Sequence, residues 1–331
     1  MSAQARWRET HVAAGFSGAH GTDEVLYRVQ DGTGEVLLNR PRAINALTIE
    51  MCHSLLRQLQ EWAADEAVTR VRLTGAGDRG LCSGADVRTL RTFCLTSPEM
   101  VIGFFDLEYR LDALIASYPK PFTAVLDGVS MGGGLGLSLH ASHRVGTDTT
   151  KMAMPEVTIG LFPDVGVAYE LSRMPGETGT YLAMTGESID AASARWAGLL
   201  DEAPGEAGIS RLASDQAWID ECFVGDDAVL IVERLLCHTD DRAREAAEII
   251  RSKSPWSVWV ALRALRRAAG MTSVDEVLAQ DMVLARNFVD DSDFVEGVRA
   301  QLVDKDRNPS WRHSSLAEVP EELIQQMFTP H

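Results

Sequence analysis

The chain has 331 residues, of which 45% are hydrophobic and 24% are charged, so we expect a packed core and not wholesale disorder. At roughly 150 residues per domain, this length predicts two units, or one large domain with an appendage. The 48 acidic residues exceed the 31 Lys and Arg residues and give a net charge of −17, which argues against nucleic acid and anionic membranes as partners.

The first 22 residues are expected to form a flexible N-terminal arm. They lack the apolar stretch of a secretory signal, and no run in the chain approaches the roughly 18 apolar residues of a membrane span. Arg6 and Arg8 leave an organelle transit peptide as an alternative, but Ser and Arg are sparse, which favours the plain arm.

From residue 23 to about residue 153, strands alternate with helices, which predicts an α/β fold class. Apolar residues at helical spacing mark the helices, and Ser97 followed by Pro98 is typical of a helix start. The predicted elements, in chain order, are a hairpin of residues 24–30 and 35–39, a helix from Thr48, a strand over Arg70–Thr74, a glycine-rich loop over 75–85, a helix from Ser97 to about Tyr118, a strand over Phe122–Leu126, a buried helix over 134–142, and strands near Val145 and Met152.

Beyond residue 205 the pattern becomes helical. Six segments have helical spacing: Ser210–Ile219, Ala228–Leu236, Asp241–Ile250, Ser257–Ala268, Val274–Phe288 and Phe294–Leu302. Because Pro204 and Gly205 interrupt the chain just before them, we expect an α/β core over 23–204 and a helical C-terminal region over 205–331.

The five cysteines form no CxxC pair and no metal-ligand spacing, and their number is odd. This pattern predicts reduced thiols, a cytoplasmic location and no metal site. His140 and His143 flank the end of the buried helix and are interpreted as core or structural residues.

Gly75-Ala76-Gly77-Asp78-Arg79-Gly80 matches the GxGxxG pattern and follows a strand. A dinucleotide site would need a helix to begin inside the motif, whereas residues 81–86 remain loop-like. A plain glycine-rich turn and a loop whose amides face a ligand are the alternatives, and both are favoured over the dinucleotide site.

Two glycine-rich loops, 80–85 and 128–134, each follow an apolar strand and precede a helical stretch. Amides in such loops can point outward, and two of them that converge form an oxyanion hole, in which one donor is typically worth on the order of 3 kcal/mol of barrier. The alternative, that these glycines only permit close packing, stays equally open at this point.

The segment 154–166 (MPEVTIGLFPDVG) places two carboxylates, Glu156 and Asp164, in apolar surroundings between fixed turns. Carboxylates in such surroundings have raised pKa values and suit acid–base work. Asp164 has a second interpretation, as the N-cap of a helix that begins near Val165.

Four segments, LNRPRAINAL (38–47), LCSGADVR (81–88), GVSMGGGLGLSLHASHRV (128–145) and MPEVTIGLFPDVG (154–166), together resemble the crotonase, or enoyl-CoA hydratase/isomerase, superfamily. Within it, they and the tail DFVEGVRAQLVDKDRNPSW (293–311) resemble the 3-hydroxyisobutyryl-CoA hydrolase branch, which works in valine catabolism. The resemblance runs from about residue 24 to residue 328 and implies a spiral of ββα turns followed by C-terminal helices.

The resemblance also implies site residues. The carbonyl oxygen of an acyl-CoA thioester is held in this superfamily by two backbone amides, which match Ala85 and Gly133. Hydratases have a catalytic Glu where this chain has Gly136, their second Glu matches Glu156, and a glycine of theirs is replaced by Asp164. This exchange of acids is the pattern of the hydroxyacyl-CoA hydrolases.

Three further residues are implied to bind the substrate. Glu108 matches a substrate-contacting Glu of the hydrolase branch, with a solvated helix residue as the alternative. Arg42 and Arg88 lie in segments that line the CoA path, and they are candidates for phosphate or adenine contacts or else ordinary surface charges. Val167-Ala168-Tyr169 departs from the glycine-richer run of the family, which leaves the acyl group open.

The implied activity is hydrolysis of an acyl-CoA thioester, with an acyl-CoA as the small-molecule partner and with no cofactor other than the CoA of the substrate. An enoyl-CoA hydratase or isomerase that uses Glu156 alone, and an acyl-CoA-binding protein without turnover, are the alternatives. A homo-oligomer is also left open, because relatives often form trimers or hexamers.

Overall fold

The structure is a computed structural model that describes residues 15–204, 210–289 and 292–330. The described residues group into two compact units that interleave along the chain. The first takes its residues from Met1–Asp86, Leu107–Met152 and Ile189–Gly208, and the second from Val87–Asp106, Ala153–Ser188 and Ile209–His331.

The first unit contains two β-sheets built from ten strands. The strands are β1 (Ser17–Ala19), β2 (Thr22–Gln30), β3 (Thr33–Leu38), β4 (Arg70–Gly75), β5 (Gly80–Cys82), β6 (Phe122–Leu126), β7 (Val129–Met131), β8 (His143–Gly146), β9 (Lys151–Ala153) and β10 (Ile189–Asp190). One sheet has the order β1-β2-β3-β4-β6-β8, antiparallel as far as β3 and parallel from β3 onward, and the other has the order β10-β9-β7-β5.

Helix α1 (Ile49–Ala64) shows how local sequence sets this unit. The hydroxyl of Thr48 caps it by accepting the Met51 amide at 3.1 Å, and Leu55, Leu59 and other apolar residues at helical spacing form its buried face. Near the end of α1, the ring of Trp62 lies against Gly34 of β3. A methyl group placed on Gly34 would lie 2.6 Å from that ring. The predicted helix from Thr48 is therefore present, and a glycine opposite it is required.

Fourteen α-helices are found in the described part of the chain. After α1 they are α2 (Val87–Thr96), α3 (Pro98–Ala116), α4 (Gly133–Leu139), α5 (Ala168–Leu171), α6 (Thr178–Thr185), α7 (Ala191–Trp196), α8 (Arg211–Cys222), α9 (Ala228–Cys237), α10 (Asp241–Arg251), α11 (Pro255–Ala268), α12 (Val274–Phe288), α13 (Ser292–Val298) and α14 (Glu321–Met327). A π-helical turn over Arg299–Val303 follows α13.

Five helices of the second unit begin at side chains that accept backbone amides. Ser210, Asp227, Asp240, Ser254 and Ser273 cap α8 to α12 in this way. Helix α11 is buried over most of its length and packs against α5, α6 and α14, so it forms the centre of this unit.

The predicted α/β class is confirmed, and most predicted elements are present within a few residues of their expected bounds. The helical stretch expected after loop 80–85 is α2, whereas three helices, α6, α7 and α14, were not predicted. The last predicted helix, Phe294–Leu302, begins earlier, at Ser292, and becomes π-helical after Val298.

The compact units do not follow the predicted division at residue 204, because 87–106 and 153–188 group with the C-terminal helices. The predicted arm over residues 1–22 lies outside the described residues as far as residue 14, whereas Ser17–Ala19 is not an arm but strand β1, paired with β2. Gly205, on the predicted boundary, is also outside the described residues. Across those residues, no helix combines the length and the apolarity that a membrane span needs.

Candidate functional site

The GxGxxG motif of the first unit contains no helix start. Gly75 ends β4, Gly80 begins β5, and the next helix starts only at Val87. The side-chain amide of Asn45 donates to the carbonyls of Ala76, Gly80 and Leu81 at 3.0–3.1 Å. These hydrogen bonds hold the loop between β4 and β5 in place. The motif is therefore a glycine-rich turn and lacks the geometry that binds a dinucleotide.

The amide of Ala85 is turned away from its neighbouring segment. Ala85 and Leu47 form a parallel β-bridge in which the Leu47 amide donates to Gly84 O and the Leu47 carbonyl accepts the Asp86 amide, each at 2.8 Å. In such a bridge the middle residue directs its own N–H and C=O to the opposite side. The predicted oxyanion donor Ala85 thus presents its amide away from Leu47.

The second predicted donor, Gly133, is the first residue of α4, where a helical amide has no acceptor inside its own helix. The loops of Ala85 and Gly133 lie side by side, because a methyl group placed on Gly84 would lie 3.5 Å from the nitrogen of Gly133. Gly84 has φ +98°, a conformation that favours glycine. The first unit therefore brings the two predicted amide loops together.

Glu108 lies next to the Gly133 loop. It is 1% exposed, which rejects the alternative of a solvated helix residue. A methyl group placed on Gly133 would collide with its Oε1 atom, so the carboxyl group lies against the main chain of that glycine. Asp112, one helical turn further along α3, is also fully buried, and sequence spacing alone did not single it out.

Two buried thiols accompany these carboxyl groups. Burial raises the pKa of Cys52 well above its ordinary value, and the negative charges of Glu108 and Asp112 raise it further. Burial also raises the pKa of Cys82 to about 12, although a hydrogen bond with Gly84 acts in the opposite direction. Both thiols are therefore held neutral, which makes them inert and unsuited to act as nucleophiles.

In the second unit, Glu156 begins a 3-10 turn, Glu156–Thr158, and is 5% exposed. The turn is fixed from the side of α11, because the amide of Ser254 donates to the carbonyl of Val157 at 3.2 Å. The ammonium group of Lys253 also donates to the hydroxyl of Thr158 at 2.9 Å. The carboxyl group of Glu156 is thus buried on a short and well-held segment.

The backbone just after this turn lies in direct contact with the backbone of the C-terminal tail. A methyl group placed on Gly160 would collide with the carbonyl of Asp293, and one placed on Gly297 would lie 2.5 Å from the carbonyl oxygen of Ile159. Gly160 also has φ +74°. Two glycines are therefore required for α13 to lie directly against the Glu156 segment.

Asp164 is 5% exposed and lies in a tight turn closed by the bond from Val167 N to Asp164 O at 3.2 Å. The next helix has Val167 as its N-cap and no side-chain cap, so the N-cap interpretation of Asp164 is wrong. Val165 has φ +55°, an outlier for a β-branched residue that costs on the order of 1–3 kcal/mol. The turn that presents Asp164 is therefore strained.

Asp281 on α12 is a buried acid that the sequence analysis missed. It is 0% exposed, and its Oδ2 atom accepts the amide of Gly166 at 2.8 Å. The sequence does contain a sign that Asp281 is buried. It lies at helical spacing in an apolar stripe whose other buried members include Leu278, Ala285 and Phe288.

The two arginines proposed for CoA, Arg42 and Arg88, differ from Arg40 in their surroundings. Arg40 forms ion pairs with Glu24 and Asp86 at 3.1 Å, so its guanidinium group is already engaged. Arg42 is exposed on a 3-10 turn of the first unit, and Arg88, in the second unit, is exposed and donates to the carbonyl of Leu302.

The surroundings of His140 and His143 agree with their interpretation as core or structural residues. His140 is buried at the end of α4, and His143 bonds to Glu202 at 3.0 Å. Among residues 15–204, 210–289 and 292–330, no three His, Cys, Asp or Glu side chains are grouped so that they could hold a metal ion.

Comparison with known proteins gives a consistent family. The family model described as enoyl-CoA hydratase/isomerase matches residues 33–214 and 201–328. The chain is 34% identical to proteins named 3-hydroxyisobutyryl-CoA hydrolase, mitochondrial, from Gallus gallus, with 93% of this chain and 89% of the relative covered, and from Homo sapiens, with 92% and 88% covered.

Solved structures agree on the fold. A carnitinyl-CoA dehydratase from Mycobacterium thermoresistibile matches with a TM-score of 0.90 and 40% identity, over 94% of this chain and 97% of that one. An enoyl-CoA hydratase from Rhodobacter sphaeroides matches with a TM-score of 0.90 and 32% identity, over 93% and 97%. The predicted crotonase-type core with C-terminal helices is therefore confirmed.

The predicted cytoplasmic location is wrong by this comparison, because the curated relatives are named as mitochondrial proteins. All five cysteines are free thiols. Free thiols indicate reducing surroundings, but they do not identify the compartment in which a protein is located. The match of the family model and the curated relatives, over about nine-tenths of the sequence, show that the chain belongs to the enoyl-CoA hydratase/isomerase family.

Proposed function

We propose that the chain hydrolyses an acyl-CoA thioester to the free acid and CoA, with 3-hydroxyisobutyryl-CoA as its substrate. One structural observation carries the thioester chemistry: the Ala85 amide turns away from Leu47 in a loop that lies against the Gly133 amide. The names of the curated relatives support the acyl group.

In the proposed reaction, the Ala85 and Gly133 amides bind the thioester carbonyl oxygen. Attack on the carbonyl carbon moves negative charge onto this oxygen, and the amides stabilise that charge without having to reorganise. Because the thiolate of CoA is a good leaving group, this stabilisation and one base suffice for the chemistry. Such donors are main-chain atoms, so the glycine at position 133 matters for its lack of a side chain.

Glu156 is the proposed catalytic carboxylate, and two roles for it remain distinct. As a general base it takes a proton from water, whose oxygen attacks the carbonyl carbon while the sulfur of CoA leaves. As a nucleophile it attacks the carbon itself, CoA leaves, and water then hydrolyses the mixed anhydride. Both routes consume one water and give the same products.

The remaining predicted residues have supporting roles in the proposal. Asp164 orients the attacking water or the substrate hydroxyl group, and Glu108 contacts the substrate beside the Gly133 loop. Arg42 and Arg88 contact phosphate or adenine groups of CoA, which suits their exposure and the planar fork of a guanidinium group. The only cofactor in the proposal is the CoA carried by the substrate.

A second candidate is addition or removal of water at a carbon–carbon double bond. It is favoured by the 40% identity to a structure described as a carnitinyl-CoA dehydratase. Position 136 argues against it, because a buried glycine on α4 stands where hydratases have a catalytic acid. A third candidate, acyl-CoA binding without turnover, leaves the buried Glu156 and Asp164 without a use.

The deciding experiment offers the purified protein 3-hydroxyisobutyryl-CoA and crotonyl-CoA in parallel. Release of free thiol and loss of the enoyl absorbance are followed in the same samples. Thiol release from the first substrate, with little change in the second, is the expected result. Hydration of crotonyl-CoA with negligible thiol release would support the hydratase, and tight binding of both esters without either reaction would support a binding protein.

A single turnover in heavy-oxygen water, with enzyme in excess over substrate, distinguishes the general-base role of Glu156 from the nucleophile role. A general base sends the heavy oxygen directly into the released acid. A mixed anhydride that water opens at the Glu156 carbonyl leaves the heavy oxygen in that side chain, where mass spectrometry of the peptide detects it.

A further inference from the structure

Helix α12 presents one face to the segment that carries Asp164. Near its end, the ring of Phe288 packs against the ring of Phe162, with centroids 5.2 Å apart. Two turns earlier, about 10 Å along the helix axis, Asp281 accepts the amide of Gly166. The segment 162–166 is therefore held against α12 at both of its ends, with Asp164 between the two contacts.

The carboxyl group of Asp281 has an unusual environment for an acid. It is fully buried, and its Oδ2 atom accepts the Gly166 amide at 2.8 Å. Within the described residues its Oδ1 atom accepts no hydrogen bond. Burial raises the pKa of Asp281 well above its ordinary value, and the negative charge of Asp164 raises it further, against the effect of the Gly166 hydrogen bond.

We propose that Asp281 is a positioning residue for Asp164, which holds the strained 164–166 turn in place through the amide of Gly166. The inference rests on the proposed function, since it assigns a support to a residue of that reaction. Asp281 acts here through its Oδ2 atom, which accepts the Gly166 amide at 2.8 Å.

The turn needs such a support because its central residue is unfavourable. Val165 adopts φ +55°, a region that β-branched residues avoid, and a chain persists in such a conformation only where its surroundings fix it. The hydrogen bond from Gly166 to α12 fixes the turn one residue after Val165. Loss of that bond is expected to let the turn relax and to displace Asp164.

The test compares two substitutions at one position. Asp281→Asn keeps a carbonyl oxygen that can accept the Gly166 amide, so kcat is expected to stay within about threefold of the wild type. Asp281→Ala removes the acceptor, and kcat is expected to fall about 10- to 100-fold, as for the loss of one buried hydrogen bond, with a smaller change in KM. Rescue by Asn is the signature that a merely structural role would not give.

A matched control is Asp215→Ala in the same unit. Asp215 is 1% exposed and pairs with Arg242, and it has no place in the proposed reaction. Its loss is expected to lower the melting temperature and to leave kcat unchanged at a temperature at which the variant is folded. The control thus separates loss of a buried acid from loss of the Gly166 contact.

Hydrogen exchange of the peptide that contains Gly166 gives a measurement that needs no activity. The Gly166 amide is expected to exchange faster in Asp281→Ala and to stay protected in Asp281→Asn. Unchanged exchange in Asp281→Ala, or a loss of kcat in Asp281→Asn as large as in Asp281→Ala, would overturn the inference. If the wild type releases no thiol from any CoA ester, the proposed function fails by itself, and the exchange result still decides whether Asp281 holds the turn.

Discussion

The two units hold their candidate groups in different ways. In the first unit the candidate groups are main-chain amides, and glycines 84 and 133 allow their loops to approach each other. In the second unit they are the carboxyl groups of Glu156 and Asp164, buried on short turns that neighbouring helices hold in place. An amide donor is therefore sensitive to what is added at a glycine, whereas an acid is sensitive to what is removed from its side chain.

The largest expected effect tests the acid side of this contrast. Glu156→Gln keeps the size of the side chain and removes its basicity, and it is expected to lower kcat for thioester hydrolysis about 10²- to 10⁴-fold. Steady-state thiol release measures the change. Glu248→Gln, on the exposed face of α10, is the control and is expected to stay within about twofold of the wild type. Full activity of Glu156→Gln would remove Glu156 from the mechanism.

The next effect tests the amide side. Gly133→Ala places a methyl group against the carboxyl group of Glu108, so either that carboxyl group or the loop must shift, and the Gly133 amide is expected to hold the thioester oxygen less well. Loss of one such donor lowers kcat about 10²- to 10³-fold. The control Gly103→Ala lies on the exposed side of α3, where a methyl group meets no atom within 4 Å, and it is expected to leave kcat unchanged. Equal activities of the two variants would contradict the assignment of Gly133.

A smaller effect sharpens the description of the first unit. Cys52 and Cys82 are buried neutral thiols, whereas Cys237 is exposed. Iodoacetamide at about pH 8 is expected to modify Cys237 in the native protein and to spare both buried thiols until the protein is unfolded. Peptide mass spectrometry measures the order of reaction. Modification of Cys52 as fast as Cys237 under native conditions would show that the surroundings of Glu108 and Asp112 open readily.

The smallest effect concerns an acid of the first unit that is partly exposed, unlike the buried acids of the second. The hydrogen bond from Arg144 lowers the pKa of Asp201, although partial burial opposes it. A lowered pKa stabilises the fold above the ordinary pKa of Asp, near 4, and this stabilisation is lost as the pH falls through the lower folded value.

Asp201→Asn is therefore expected to reduce the free energy of unfolding by up to about 1 kcal/mol near neutral pH, and the difference should shrink in acid. Urea denaturation at several pH values measures it, with the exposed Asp148→Asn as the control. A difference that grows as the pH falls would contradict the stated sign.

The contrast between the units also explains what the sequence could predict. Elements with strong local signals were predicted closely: the bounds of β6 and α12 agree with those expected, and α1 begins one residue after its predicted start. The two glycine-rich loops were located from their glycines, but spacing alone left their role open, and only the family resemblance pointed to the amides of Ala85 and Gly133. Sequence spacing left Glu108 undecided, because it does not say which side of α3 is buried, and it missed Asp281, because the partner of that residue lies 115 positions away.

Other differences between prediction and structure have separate causes. Helix α2 was expected only as a helical stretch after loop 80–85, without bounds, and Leu90 is the one residue of this helix that is buried. Ser17–Ala19 is too short to be recognised as a strand, and only its pairing with β2 makes it one. The grouping of 87–106 and 153–188 with the C-terminal helices depends on contacts that no local pattern contains.

The glycine contacts between the Glu156 segment and α13 have a consequence for how the chain can be shortened or extended. Because two backbones touch there with no side chain between them, removal of residues from 292 onward takes away a direct main-chain contact of this segment. A truncated protein would expose the turn of Glu156 to water and lose its rigid backing. The tail thus covers the candidate catalytic segment. Fusion partners or affinity tags should be attached after the tail and should not replace it.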